Sequence, residues 1–169
     1  MTRYTKADGE IMMRHVISVL VENRSGVLSR ISGLFSARGF NIDSLAVGET
    51  EDPTVSRMTI IVKGDDKTLE QVKKQLNKLI DVISVKDLTK KGFIDRELLL
   101  FKIGVNQETK SKIANFLEKN HAKILYSGAD TITVEFVGDP ERILKLLDGL
   151  KEYGIKDMVR TGRVALAKE

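Results

Sequence analysis

The order in which two hydrophobic periodicities alternate constrains the fold of this chain more than any other feature of its sequence. Runs with the two-residue period of a strand and stripes with the three-and-four spacing of a helix follow one another as strand, helix, strand, strand, helix, strand. A short polar joint follows, and the same order then runs a second time. The pattern predicts an α+β chain of two ferredoxin-like βαββαβ sandwich domains, each of roughly 75 residues.

The predicted domains occupy residues 14–89 and 95–169, with a linker at residues 90–94 between them. The repeat is one of pattern, since the two halves share no clear sequence identity. Residues 1–13 are polar and lack the apolar centre of a signal peptide. They are predicted to form a disordered leader, and a true translation start at Met12 is the alternative.

The first strand–turn–helix segment contains the clearest local signals. The run 15–21 is almost continuously apolar, which is typical of a central strand covered on both faces. Ser25 is a candidate N-cap for a helix over residues 27–38, and Gly39 is a typical stop signal just after it. The strand is therefore expected to end in a short polar turn that contains Gly26 and leads directly into the helix.

The size of each predicted domain favours association. A domain this small buries only about 60% of the surface of its unfolded chain. With helices on one sheet face only, the other face still carries apolar residues, and association of sheets or sheet edges is the usual way to cover them. The sequence therefore predicts at least a homodimer.

The two turns that flank the first helix carry residues suited to a small zwitterionic ligand. The free N–H groups at the start of a helix favour a carboxylate or phosphate, and an asparagine amide can donate and accept hydrogen bonds. Taken alone, each residue has a commoner role as a turn glycine, a capping asparagine or part of the core. Taken together, with one helix joining the turns and bringing them together, they are interpreted as a site for a free amino acid: Asn23, Gly26, Val27, Leu28, Asn41 and Ile42.

Several enzyme and metal-binding classes are disfavoured by what the sequence lacks. There is no cysteine, which excludes a disulfide scaffold and a Cys-ligated metal site, and the two histidines show no ligand spacing. No catalytic triad, HExxH motif, Walker A loop or GxGxxG motif after a strand is present. No catalytic residue and no metal ligand is therefore assigned.

Nucleic-acid and membrane partners are also disfavoured. The net charge is +4, but lysine and arginine alternate with carboxylates along most of the chain. The strand at residues 56–62 lacks the aromatic residues on which an RNA-binding domain of the same topology stacks bases. No apolar run approaches the roughly 20 residues needed to span a bilayer. A cytoplasmic location is the expectation.

Three motifs in the first half of the chain resemble a known family. They are residues 23–30 (NRSGVLSR), 33–45 (GLFSARGFNIDSL) and 52–60 (DPTVSRMTI). Together they are similar to the N-terminal ACT domain of the small regulatory subunit of acetohydroxyacid synthase (acetolactate synthase). The second half is similar to that family in length and pattern but has few sharp motifs, and the leader before Met12 departs from the family pattern.

The resemblance implies a regulatory subunit that has no catalytic activity and binds no cofactor of its own. Its partner would be a large catalytic subunit that carries thiamine diphosphate, Mg²⁺ and FAD. The small subunit would activate that partner and confer feedback inhibition by valine or another branched-chain amino acid. A freestanding ACT-domain sensor with a different partner is the alternative, and a ferredoxin-like hydrolase is a third hypothesis.

The resemblance also implies where the effector binds. In the family the effector lies between the two ACT domains of a homodimer. The ligand contacts of the family match Asn23, Gly26 and Asn41 here, with Val27, Leu28 and Ile42 beside them.

Overall fold

The computed structural model describes residues 3–5, 11–90 and 92–169, which form two compact units. The first unit consists of residues up to Asp95 together with Arg163–Glu169, and the second is Arg96–Gly162. Each unit contains the predicted βαββαβ order, so the α+β fold of two ferredoxin-like sandwiches is confirmed.

The first unit is an antiparallel sheet with two helices on one face. The long strand β2 pairs with β1, β4 and β5, and β3 pairs with β4 at the edge of the sheet. The elements of this unit are β1 (Arg3–Thr5), β2 (Ile11–Glu22), α1 (Val27–Ala37), β3 (Ile42–Glu49), β4 (Val55–Gly64), α2 (Asp66–Leu76), β5 (Val82–Asp87), the start of β6 (Phe93–Gly104) and β10 (Val164–Ala167).

The core of the first unit follows from the two periodicities. Alternate residues of β2 such as Ile17 and Val19 face the helices, and residues at helical spacing such as Ile31 and Phe35 of α1 meet them. All four side chains are almost completely buried. The helix predicted over residues 27–38 therefore packs its apolar face on the sheet.

The second unit repeats this arrangement with β6 in the centre of its sheet. There β6 pairs with β8 on one side and β9 on the other, and β7 pairs with β8 at the edge. The helices cover one face, where Leu99, Phe101 and Ile103 are buried. The remaining elements are α3 (Lys110–Lys119), β7 (Lys123–Ser127), β8 (Thr131–Gly138), α4 (Pro140–Gly149), a 3-10 turn (Lys151–Tyr153) and β9 (Ile155–Arg160).

The C-terminal strand β10 belongs to the first unit, so the predicted boundary of the second domain at residues 95–169 is wrong at its end. Ala165 packs with Val16, Ile61 and Leu88 on the sheet face opposite α1 and α2. The N–H of Ala165 donates to Thr59 Oγ1 at 3.2 Å. The open apolar face that the sequence predicted for the first sheet is therefore covered in part by the chain itself.

Two further boundaries differ from the prediction. Residues 93 and 94 of the predicted linker already belong to β6, which continues as one strand to Gly104. In the predicted disordered leader, Arg3–Thr5 pairs with residues 11–13 of β2, so that prediction is wrong for these residues. The rest of the leader, residues 1, 2 and 6–10, lies outside the described residues.

Candidate functional site

The start of α1 has backbone geometry suited to an anion. Gly26 is the N-cap residue and has a left-handed φ of 85°, which a residue with a Cβ adopts only at a cost. Ser25 was the predicted N-cap; this is wrong, because the half-helical position falls on Gly26, which has no side chain to cap with. Within the described parts of the chain, no group accepts a hydrogen bond from the N–H of Leu28 or Ser29.

Two of the other three helices cap their first turn with a side chain, and α3 does not. Asp65 caps α2 and Asp139 caps α4, each by accepting a backbone N–H. At the start of α3, Asn106 Oδ1 accepts from the N–H groups of Glu108 and Thr109. α1 and α3 therefore both begin without a side-chain cap, and in α1 the N–H groups of Leu28 and Ser29 are available to a ligand.

Arg30 adds a positive charge to this turn, and the sequence reasoning missed it. Its Nε donates to Asp81 Oδ2 at 2.7 Å, and a Cβ built on Gly26 would lie 3.1 Å from Arg30 Nη1. The hydrogen bond to Asp81 raises the pKa of the Arg30 guanidinium, which stays cationic. Arg30 comes four residues after Gly26, so helix spacing could have placed it on the same side of α1. The ion pair with Asp81 joins residues that no local pattern connects.

Asn23 is engaged within the chain. Its side-chain amide donates to Glu49 Oε1 at 3.0 Å and to the carbonyl oxygen of Pro53 at 2.9 Å. These bonds fix the end of β2 to the turn between β3 and β4, and they use both amide protons. Asn23 therefore has a structural role next to the end of β3, and its carbonyl oxygen is the group left for a ligand.

The apolar residues predicted for the site divide between core and surface. Val27 is buried in the first core, and Ile42 is partly buried against it. Leu28 is 46% exposed on α1, next to the turn that contains Gly26. Of these three, Leu28 is the most exposed, Ile42 keeps part of its surface exposed, and Val27 is closed to a ligand.

Asn41 lies at the start of β3 beside a cluster of charges. Its amide donates to Asp43 Oδ1 at 2.8 Å. The other oxygen of Asp43 is 3.1 Å from Lys63 Nζ and 3.4 Å from Arg14 Nε. The start of β3 and the neighbouring ends of β2 and β4 thus bring together an amide oxygen, a carboxylate and two cations. Asp43 was not among the predicted site residues.

The two predicted turns lie at opposite ends of the first unit. Ile42 of β3 pairs with Val62 of β4, which in turn pairs with His15 of β2. The other end of β2, at Glu22, pairs with Val55 at the start of β4. The stretch of β2 between these levels is roughly 23 Å long at 3.3 Å per residue. The prediction that the helix brings the two turns together is therefore wrong for one chain, because a helix that connects two strands spans the sheet from one end to the other.

Two other kinds of site are absent from the described residues. No group of three or more His, Cys, Asp or Glu side chains there is arranged to hold a metal ion. No helix in the same residues has the length and apolar character to cross a bilayer.

Comparisons with known proteins match nearly the whole chain. Residues 17–84 match the family described as the AHAS small subunit-like ACT domain, and residues 96–169 match the family described as the small subunit of acetolactate synthase. A probable acetolactate synthase small subunit of Archaeoglobus fulgidus is 46% identical over 156 residues, which are 92% of this chain and 98% of that protein. The acetolactate synthase small subunit of Bacillus subtilis is 42% identical over 157 residues, 92% of this chain and 91% of that protein.

A solved structure shows the same architecture. The crystal structure of the acetolactate synthase small subunit of Thermotoga maritima superimposes with a TM-score of 0.86 at 35% sequence identity. The superposition covers 93% of this chain and 98% of that chain. The similarity therefore includes both units.

Proposed function

Because this chain belongs to the family of acetolactate synthase small subunits, we propose that it is the non-catalytic regulatory subunit of that enzyme. In this proposal it binds the catalytic subunit, activates it and makes it sensitive to valine or another branched-chain amino acid. Thiamine diphosphate, Mg²⁺ and FAD belong to the catalytic subunit, and this chain binds none of them.

The observation that carries the effector site is the uncapped first turn of α1. It offers the N–H groups of Leu28 and Ser29 beside the Arg30 guanidinium. A hydrogen bond between such a donor and a carboxylate contributes about 1.5–3 kcal/mol. We propose that the carboxylate of the amino acid binds here, where Gly26 lets the backbone approach closely.

The second half of the site comes, in this proposal, from a second copy of the chain. Among the described strands only β4 pairs with β3, so the other edge of β3 is open, and Val47 on it is half exposed. If two copies pair antiparallel along this edge, the start of one β3 lies near the end of the other. The end of β3 at Glu49 is bonded to Asn23, so Asn41 and Asp43 of the second copy approach the turn that contains Gly26.

This pairing gives each part of a branched-chain amino acid a partner. The ammonium group meets the Asn41 carbonyl oxygen and the Asp43 carboxylate of the second copy, both acceptors. The aliphatic side chain lies against the exposed side of Leu28 and against Ile42 of the second copy. One methylene more or less changes binding by only about 1–3 kcal/mol, so valine, leucine and isoleucine are all candidate effectors.

Feedback inhibition follows if the effector binds one arrangement of the two copies better than another. Allosteric coupling of this kind is typically about 1–3 kcal/mol, or roughly 5- to 150-fold in affinity. A ligand held by two copies can change their relative orientation and thereby bias the catalytic subunit.

Reconstitution tests the proposal. The chain is mixed with the acetolactate synthase catalytic subunit of the same organism, and acetolactate formation is measured with and without valine, leucine and isoleucine. We expect activation by the chain, and inhibition by one of the amino acids only when the chain is present. Absence of both effects would refute the assignment. Amino-acid binding in calorimetry without any effect on the catalytic subunit would instead favour a freestanding sensor.

A further inference from the structure

An ion pair joins Arg30 of α1 to Asp81, the residue just before β5, next to the turn that contains Gly26. Arg30 Nε donates to Asp81 Oδ2 at 2.7 Å. The side chain of Asp81 is 10% exposed, whereas that of Arg30 is 49% exposed. The acid is therefore the buried member of the pair, and about half of the arginine side chain stays open to solvent.

Backbone hydrogen bonds fix Asp81 in place. Its carbonyl oxygen accepts the N–H of Glu22, the last residue of β2, at 2.9 Å. The N–H of Val82 donates to the carbonyl oxygen of Leu79 at 3.1 Å, which closes a tight turn around Asp81. Asp81 is therefore tied to the end of β2 from which the chain passes into the turn that contains Gly26.

A comparable ion pair in the second unit shows what is different about Arg30. There Arg160 donates from Nε and from Nη2 to the two oxygens of Glu97, at 2.8 and 2.7 Å. The side chains of Arg160 and Glu97 are 43% and 8% exposed, much like those of Arg30 and Asp81. Among the described residues, no acceptor is bonded to Nη1 or Nη2 of Arg30. Arg30 is therefore held at Nε alone, and the end of its guanidinium keeps free donors.

We propose that Asp81 is a positioning residue, which holds Arg30 so that Nη1 and Nη2 face the ligand carboxylate at the start of α1. The ligand is the branched-chain amino acid of the proposed function, on which this role of Asp81 rests. Arg30 Nη1 would lie 3.1 Å from a Cβ built on Gly26, so the guanidinium lies over this glycine. A guanidinium binds a carboxylate with two parallel hydrogen bonds. The pair therefore makes the site select a free α-carboxylate over a neutral group of similar shape.

The size of the effect follows from the flexibility of arginine. Holding a free arginine side chain in one conformation costs up to about 30-fold in an equilibrium constant. Asp81 makes the fold bear this cost before the ligand arrives. Asp81→Asn keeps the shape of the side chain but removes its charge, so the ligand must order the guanidinium itself. We expect the variant to bind the amino acid about 3- to 30-fold more weakly.

Calorimetry with amino acids and their primary amides tests the positioning role. The wild type and Asp81→Asn are titrated with valine, leucine and isoleucine, and with valinamide, leucinamide and isoleucinamide. Each amide keeps the ammonium group and the aliphatic side chain but lacks the carboxylate charge. The selectivity is the dissociation constant of the amide divided by that of the acid. A merely structural ion pair would change both constants by the same factor and leave the selectivity unchanged.

We expect Asp81→Asn to lower the selectivity at least about threefold. The substitution also removes a negative charge near the ligand, so a purely electrostatic role of Asp81 predicts the opposite sign, with tighter binding of the acid. Glu97→Gln is the matched control, because it removes an equally buried carboxylate from Arg160 in the second unit. An unchanged or raised selectivity in Asp81→Asn, or an equal fall in Glu97→Gln, would overturn the role of Asp81. If the wild type bound none of the three amino acids, the proposed effector site would fail as well.

Arg30→Lys gives an independent measurement. Lysine keeps the positive charge but has no planar fork that Asp81 could hold at one nitrogen while two others face the ligand. We expect Arg30→Lys to lower the selectivity by itself, and Asp81→Asn added to Arg30→Lys to change it by less than about twofold further. Circular dichroism checks that each variant is folded. A wild-type selectivity in Arg30→Lys, or the same effect of Asp81→Asn in both backgrounds, would show that Asp81 does not act through Arg30.

Discussion

Replacing Gly26 by aspartate puts a carboxylate where the carboxylate of the effector is proposed to bind. A Cβ at this position would lie 3.1 Å from Arg30 Nη1. The new carboxylate can therefore pair with the guanidinium that is proposed to face the ligand, and it also points a negative charge at the first turn of α1. Both effects oppose binding of an amino acid through its own carboxylate.

The size of the effect can be bounded. Two like charges about 4 Å apart repel by about 1 kcal/mol in water and by about 4 kcal/mol at the effective dielectric constant typical of a protein surface. Because 1.4 kcal/mol is a factor of ten in affinity, the expected loss lies between about fivefold and several hundredfold. Backbone strain is a separate cost: φ is 85° at this residue, and the left-handed conformation costs an ordinary residue about 1–2 kcal/mol of stability.

Gly26→Asn separates the charge from the strain. Asparagine has nearly the same shape as aspartate and also tolerates the left-handed conformation, but it is neutral. The dissociation constants of both variants are measured by calorimetry with the amino acid that inhibits the reconstituted wild-type enzyme. Urea unfolding of both variants shows whether their stabilities are equal.

The charge argument predicts that Gly26→Asp binds the effector at least fivefold more weakly than Gly26→Asn. In the reconstituted enzyme, Gly26→Asp is expected to activate the catalytic subunit but to leave it insensitive to the effector. Equal dissociation constants for two folded variants would refute the placement of the ligand carboxylate at the start of α1.

Four other substitutions test separate parts of the structure. Asn41→Ala is expected to weaken effector binding about 10- to 150-fold in calorimetry, the equivalent of one hydrogen bond to a charged group, and unchanged binding would remove Asn41 from the site. The hydrogen bond from a backbone N–H lowers the pKa of Asp65 below its ordinary value of 3.8, so the cap stabilises the protein above that pH and this stabilisation is lost as the pH falls below it. Urea unfolding of Asp65→Asn should therefore show less loss of stability below about pH 4 than unfolding of the wild type. An identical pH profile would contradict the capping role. Gly33→Ala is expected to stabilise α1 by about 0.5–1 kcal/mol, because no atom lies within 4 Å of the new Cβ. Gly149→Ala is the opposite case, because its Cβ would lie 2.3 Å from Phe116 Cζ. It should lower the free energy of unfolding by about 1–3 kcal/mol in the same urea assay. If both glycine variants changed the free energy of unfolding in the same direction, the packing argument would be refuted.

Much of the fold was accessible from the sequence because it depends on local periodicity. Ile31 and Phe35 recur at helical spacing in the sequence, and they lie on the face that α1 buries. Asp139 followed by Pro140 is a typical helix-start signal, and the structure shows Asp139 capping α4 there. Signals of this kind act over a few residues, so the chain carries them whatever the tertiary structure is.

The candidate site was only partly accessible, because its geometry depends on contacts distant in sequence. The turn that contains Gly26 was found from its position between a strand and a helix. The ion pair between Arg30 and Asp81 was not found, since 51 residues separate its partners. Asn41 was named from the same pattern as Gly26, but the helix that joins them also holds them apart.

The sequence by itself determined which segments form strands and helices, in which order, and which face of each is apolar. Only the tertiary structure decided that the two turns lie at opposite ends of a sheet, so that a ligand shared by both requires two copies of the chain. It also decided that β10 returns to cover part of the first sheet. The physical reason is that periodicity fixes what a segment must bury, whereas the partner that buries it is chosen by the packing of the whole chain.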